Sequence, residues 1–168
     1  MTHKYLLKYA LIFIFLTLSL PSQAALTGQV VGISDGDTIT ILDSTRTQHK
    51  IRLWGIDCPE GHQDFGSKAK KFTSNLVFGK TVSVMPEDTD RYGRTVGTVM
   101  IDGKTLNEEL IKAGFAWVFI RYCNKPVCEQ WKRYEEAARR GRVGLWAQSN
   151  AIPHVGIPAW GRGDRLLT

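Results

Sequence analysis

Three short segments gather the side chains that can do chemistry: Asp35-Gly36-Asp37-Thr38, Arg52-Leu53-Trp54-Gly55-Ile56-Asp57-Cys58-Pro59-Glu60, and Asp90-Arg91-Tyr92-Gly93-Arg94. Asp37 and Asp57 fall at the ends of neighbouring extended stretches. Two such carboxylates with a backbone carbonyl form an all-oxygen set that suits Ca²⁺ and leaves places for water and a phosphate oxygen. Read alone, Asp35-Gly36-Asp37 is also an ordinary Asx-turn. Arg52 is bracketed by Ile51 and Leu53, so its guanidinium needs an anionic partner. That partner is either a nearby Asp in a structural ion pair or a phosphate held by a bidentate clamp. Arg94 follows a Tyr-Gly turn and can project across a cleft. Glu60 sits in a loop after Pro59, where it can accept a proton from an attacking water or simply be a solvated surface acid.

The elements that must position these groups read as follows. Gly28–Ser34, Thr38–Leu42 and Gln48–Ile56 are rich in β-branched residues and separated by turn signals, which predicts an antiparallel meander. Phe65, Ala69, Phe72 and Leu76 then recur at helical spacing, with Lys68, Lys70 and Lys71 towards the other faces and Gly79 as the stop. Thr81–Met85, ended by Pro86, and Thr95–Ile101 are further strands, the latter followed by an Asp102-Gly103 turn. Leu106, Leu110 and Ala113 mark a short helix stopped by Gly114. Phe115–Tyr122 is an apolar run that reads as a buried strand or extended segment. Glu129–Arg140 is a helix with Trp131, Tyr134 and Ala138 inward, after which Leu145-Trp146 folds back on the core. The sum is α+β, mainly β: a five-stranded antiparallel barrel of the OB type with three helices. In a regular strand Arg52 and Asp57 would face opposite ways, because their spacing is odd, so a bulge or bend is expected near Gly55.

The chain has 168 residues, 43% hydrophobic and 23% charged. That composition fits one globular domain and excludes an acidic disordered chain, a collagen-like repeat and a disulfide knot. The net charge of +6 points to a polyanionic partner, nucleic acid or an anionic surface, or to nothing more than a basic soluble protein. Lys4 and Lys8, the apolar run Tyr9–Leu20 and the small residues before Ala24 form a signal peptide over residues 1–24, with cleavage after Ala24. The run is short for a membrane span, which leaves an uncleaved anchor as the alternative. A domain over 25–148 and a Pro/Gly-rich tail over 149–168 follow. Export implies an oxidising compartment, secreted or periplasmic. Of the three Cys, Cys123 and Cys128 are the natural disulfide pair around Pro126, which leaves Cys58 odd. Dispersed Cys without paired His give no zinc spacing.

In combination and order, the three charged segments resemble the staphylococcal (micrococcal) nuclease family. Leu106-Asn107-Glu108, Gly114-Phe115-Ala116, Glu135–Ala138 and Gly144-Leu145-Trp146 extend the resemblance over nearly the whole domain. It implies Asp37, Asp57 and the backbone carbonyl of Cys58 as Ca²⁺ ligands, and Arg52, Glu60 and Arg94 as the catalytic trio. Asp35 matches an acid just outside the metal shell, while Arg91, Tyr92 and Tyr122 match the nucleotide pocket. The implied activity is a calcium-dependent, sugar-nonspecific endonuclease that leaves 3′-phosphates on DNA and RNA and prefers single or unwound strands. The chain departs from the family pattern in having Cys58 before Pro59, a short loop over Gly61–Asp64 and the added cysteine pair. A monomer with nucleic acid as its partner is the default reading. The rivals are a non-catalytic OB-type module for single strands, contacting phosphates through Lys68, Lys70, Lys71, Arg91 and Arg121, and an exported structural protein whose charges are ion pairs.

Overall fold

The computed structural model describes residues 25–148; the expected leader and tail lie outside the described residues. Eight strands run β1 (Leu26–Asp35), β2 (Thr38–Leu42), β3 (Gln48–Leu53), β4 (Ile56–Asp57), β5 (Thr81–Thr89), β6 (Thr95–Ile101), β7 (Lys104–Thr105) and β8 (Trp117–Val118). Three helices are interleaved: α1 (Gly66–Val77), α2 (Leu106–Lys112) and α3 (Val127–Arg140), with a 3₁₀ turn over Gly144–Ala147.

The expected meander is present, with β1 pairing β2 and β2 pairing β3, both antiparallel. β5 joins the free side of β1, and β6 joins β5. The barrel then closes where β3 meets β6, with Ile51 opposite Thr95 and Arg52 opposite Val96. This seam is parallel, so the five-stranded barrel is mixed rather than wholly antiparallel. Closing a sheet joins strands that need not be neighbours in the chain, and their directions are fixed by the path between them.

Val30, Ile39, Ile41, Ile51, Leu53, Val82, Val84 and Val99 fill the core. α1 packs on β1 and α2, and α2 packs on β6 and α3. Trp54 meets Trp131 of α3 with ring centroids 5.7 Å apart. A smaller cluster of Trp117, Ala138, Leu145 and Trp146 holds the folded-back end of the domain.

Several boundaries differ from the sequence expectation. β5 continues through Pro86 to Thr89, because Pro86 sits at a register shift where the ladder is already interrupted. The buried stripe of α1 is centred on Ala69, Thr73 and Val77, with Phe72 and Leu76 flanking it. Phe65 precedes the helix in a left-handed conformation, φ 67°, and joins the second cluster. The apolar run after Gly114 is strand only at Trp117–Val118, which pairs with β4 as a separate two-stranded ladder.

Candidate active site

The third expected strand is broken where the parity argument required. β3 ends at Leu53, the chain turns through Trp54 and Gly55, and β4 resumes at Ile56. Gly55 has φ +71°, and a Cβ there would stand 3.1 Å from both Cys123 Sγ and a Trp131 ring carbon. Only glycine tolerates that backbone in that space. Asn107, fully buried, holds the turn by donating from Nδ2 to the Trp54 carbonyl at 2.9 Å while its Oδ1 accepts from the Val99 amide at 3.1 Å.

The turn brings Arg52 and Asp57 together. Arg52 Nη2 donates to Asp57 Oδ1 at 2.5 Å, and Nη1 donates to Asp37 Oδ1. One guanidinium thus spans two carboxylates, one from the turn between β1 and β2 and one from β4. Asp37 is buried to 1% exposure and is held further by the Cys58 amide on Oδ2 at 2.8 Å and by Thr38 Oγ1 on Oδ1 at 3.2 Å. Arg52 Nε is buried with no hydrogen-bond partner. An orphaned donor of this kind calls for a ligand or ion.

The electrostatics follow from this packing. Burial pushes the Asp57 carboxyl up to about 6, against the Arg52 charge and with the help of Asp37. For Arg52, burial alone would lower the pKa, but the charges of Asp37 and Asp57 outweigh it and push it up. Burial and Asp37 drive the Cys58 thiol well above its ordinary 9.0. A buried, protonated thiol is a poor target for oxidation. Cys58 is instead packing: a Cβ on Gly36 would lie 3.0 Å from its Sγ and 2.8 Å from the Ala69 Cβ, so the Asp35-Gly36-Asp37 turn is clamped between Cys58 and α1. Thr73 completes the clamp by donating its hydroxyl to the Gly36 carbonyl at 2.6 Å.

Glu60 is exposed, on the loop between Pro59 and α1. Its amide donates to Gln63 Oε1 at 2.7 Å, and its charge is felt at Asp57. Asp35 is half-buried at the end of β1, opposite Thr38, and its charge reaches Cys58.

Arg94, Arg91 and Tyr92 form a second group at the β5–β6 turn. Asp90, 7% exposed, accepts from the Tyr92 and Arg94 amides at 2.9 Å and from Arg94 Nε at 2.5 Å. Sequence reasoning quoted Asp90 but gave it no role; an Asp just before a Tyr-Gly turn was the available signal. Arg91 lies 4.7 Å above the exposed Tyr92 ring and donates to its hydroxyl at 2.7 Å. Arg94 immediately precedes Thr95, the residue opposite Ile51 in the parallel seam, so the second group stands beside the Arg52 strand. Tyr122 lies elsewhere, on the turn after β8. It packs on Phe119 with centroids 5.0 Å apart, and the Phe119 amide donates to the Gly55 carbonyl at 2.8 Å.

The expected disulfide joins Cys123 to Cys128. It seats this Tyr122-bearing segment against Gly55.

Among the described residues no group of three or more His, Cys, Asp or Glu side chains converges on a metal position. The donors at hand are two carboxylates and main-chain carbonyls. That set suits a hard cation completed by water or substrate oxygens, and not zinc.

Residues 50–148 match the family described as "Staphylococcal nuclease homologue". A Haemophilus influenzae protein named "Uncharacterized endonuclease" is 40% identical over 152 residues, covering 90% of this chain and 84% of the relative. "Micrococcal nuclease" of Shigella flexneri is 41% identical over 147 residues, covering 82% and 83%. "Protein ParB" of Escherichia coli is 36% identical over 156 residues, covering 88% and 87%. The match takes in the Arg52–Glu60 turn, the Asp90–Arg94 turn and the helices behind them. With the barrel these residues build, it places the chain in the staphylococcal nuclease family.

Proposed function

We propose that this protein is a calcium-dependent endonuclease that hydrolyses phosphodiester bonds of DNA and RNA to 3′-phosphate products, with preference for single or unwound strands. Its family makes it a nuclease hydrolase acting on nucleic acids. The observation that carries the finer reading is the buried Arg52, which bridges Asp37 and Asp57 and keeps Nε unspent.

Asp37, Asp57 and the Cys58 carbonyl would hold Ca²⁺, with a weak affinity on the order of 10⁻⁴–10⁻³ M, as in other extracellular modules. The ion, when bound, supplies Lewis-acid polarisation of a non-bridging phosphate oxygen. Arg52 donates to the phosphoryl oxygens, its fork fixed in advance by two carboxylates, and such preorganised donors usually make the largest contribution to rate. Arg94, oriented by Asp90, supplies a second guanidinium from the neighbouring turn. Glu60, exposed and beside the carboxylate pair, orients the attacking water or takes its proton. Arg91, Tyr92 and Tyr122 contact the nucleotide, and Asp35 supports the metal shell from outside. The leader and the Cys123–Cys128 bridge suit a secreted or periplasmic protein, and the monomer is taken as the working state.

The test is release of acid-soluble nucleotides from denatured DNA by the mature chain, with calcium or a chelator, beside Glu60→Ser. Calcium-dependent cleavage that is lost in Glu60→Ser supports the reading. Folded protein that retains DNA in a salt-sensitive way without cutting it overturns the reading in favour of a binding barrel.

A further inference from the structure

Beside β1, α1 borders an open groove of ≈ 420 Å³ lined by Ile33, Ser67, Lys70, Lys71, Ser74 and Phe78. Its helical residues Ser67, Lys70, Lys71 and Ser74 fall at i, i+3, i+4 and i+7, one stripe along the helix about 11 Å long at 1.5 Å per residue, and Phe78 follows as the extended residue that ends the helix. We propose that this groove is a second nucleic-acid contact, along which a single strand leaving the catalytic site runs over α1. The proposal rests on the nuclease reading and extends it to the path of the substrate.

Three observations carry it. The first is charge. α1 contains Lys68, Lys70 and Lys71 and no acid. Lysines early in a helix oppose its dipole, and α1 has neither an acid in its first turn nor a side-chain cap to compensate. Lys68 lies over the Phe65 ring at 4.3 Å, whereas Lys70 and Lys71 are exposed and make no ion pair among the described residues. Two unspent cations between two serine hydroxyls suit the phosphates of a polyanion.

The second is an aromatic face. Phe78, at the far end of the groove just past α1, is 57% exposed. A solvent-facing ring beside backbone-binding cations is the arrangement on which a base of a single strand stacks without regard to sequence.

The third is continuity. At the near end of the groove, Ser67 Oγ donates to the Gly61 carbonyl at 3.5 Å, next to Glu60. Ile33 lies two residues before Asp35 on the strand that leads into the Asp37 turn. The groove therefore opens at the edge of the proposed catalytic centre and runs away from it.

Two substrates separate the groove from the site: a p-nitrophenyl ester of a single thymidine nucleotide, too small to reach α1, and a long oligothymidylate. Lys70→Gln/Lys71→Gln and Phe78→Ser are compared with wild type and with Phe78→Tyr, after thermal melting confirms that each is folded. Turnover of the small ester serves as the control for the catalytic site and is expected to be unchanged. For the oligomer, KM should rise about tenfold in Phe78→Ser and recover in Phe78→Tyr. The double lysine variant should lose about 1.4 from the slope of log affinity against log salt, the equivalent of two phosphates on a single strand.

Equal losses on both substrates would mean a disturbed site and overturn the proposal, as would an unchanged KM for the oligomer. If instead the lysine variant loses only its binding to phosphatidylglycerol vesicles, the face belongs to a membrane surface and the proposal fails. Wild type that cleaves neither substrate sinks the nuclease reading. In that case oligothymidylate binding by anisotropy still decides the groove, which stands if the variants bind more weakly with the reduced salt slope and falls if they do not.

Discussion

Arg52 and Asp57 are 5 residues apart yet meet at 2.5 Å, Nη2 to Oδ1. An uninterrupted strand would place them on opposite faces. The two-residue break at Trp54-Gly55 reverses that parity and lets one guanidinium serve two carboxylates. The site thus depends on a backbone feature as much as on its charged residues, and the supports of that feature are Gly55, Asn107 and the disulfide-bonded segment.

Gly55→Ala should therefore damage both fold and function. The added methyl must accept φ +71° and meet Cys123 Sγ at 3.1 Å. Strain at a left-handed position costs about 1–3 kcal/mol. Urea denaturation should show a loss in that range, and phosphodiesterase activity should fall in the fraction that remains folded. Full activity at unchanged stability would mean that the turn is not what aligns Arg52 with Asp57.

The Cys123–Cys128 bridge should support activity from behind. It packs on Gly55, and in the same loop Lys125 pairs with Glu87 and lies 5.3 Å from the Trp54 ring. Its loop is short, with a sequence separation of 5, so Cys123→Ser/Cys128→Ser should lose about 2 kcal/mol, the low end for native disulfides. Nuclease activity under reducing conditions should drop while the barrel remains folded by circular dichroism. Thiol titration tracks the state: none should react in the native chain, Cys58 alone on unfolding, and all 3 Cys after reduction. A reduced, folded protein of undiminished activity would leave the bridge with stability alone.

How far the sequence carried the fold and site depends on how local each feature is. The meander, α1, α2 and the Asp102-Gly103 turn are written in short periodic segments and turn residues, and they appear where expected. The bend at Gly55 followed from counting parity between two residues with a shared task. The parallel β3–β6 seam could not be read, because it is set when the barrel closes and no local pattern encodes strand direction. Pro86 misled for a related reason: a proline ends a strand only if its amide is needed, and a register shift at Pro86 removes that need. The residues proposed here as the trio and as metal ligands stood out because three short segments concentrate their charge, and the resemblance supplied their roles. Their supports did not, since Thr73, Asp90 and Asn107 look like ordinary polar residues until the structure buries them.

Asp43 gives a pH signature remote from the site. Its carboxylate accepts from His49 Nε2 and the Thr47 amide at 2.8 Å and from Thr45 Oγ1 at 2.7 Å. The His49 contact first, then those of the threonines, holds its pKa far below the ordinary 3.8. A depressed folded pKa means that the contribution to stability is complete above the unfolded value and fades as pH falls towards the folded one. Wild type should thus melt above Asp43→Asn at pH 6, with the gap narrowing steadily below about pH 5. Melting curves across that range decide it, and a gap independent of pH would remove the charge from the explanation.

Arg52→Lys addresses the centre of the proposed mechanism. Lysine keeps the positive charge but carries its three donors on one nitrogen, so it cannot reproduce the planar fork in which separate nitrogens face Asp37, Asp57 and the site. If Arg52 were only a structural ion pair, lysine would serve and turnover would change little. If its remaining donor stabilises charge on the phosphoryl group, kcat should fall about 10²–10³-fold, the usual cost of one preorganised donor. KM for the small thymidine ester should move much less, because the loss is felt where charge develops and not where the substrate first binds. Comparing kcat and KM for Arg52→Lys at saturating calcium separates the two roles, with thermal melting as the check that the barrel is intact.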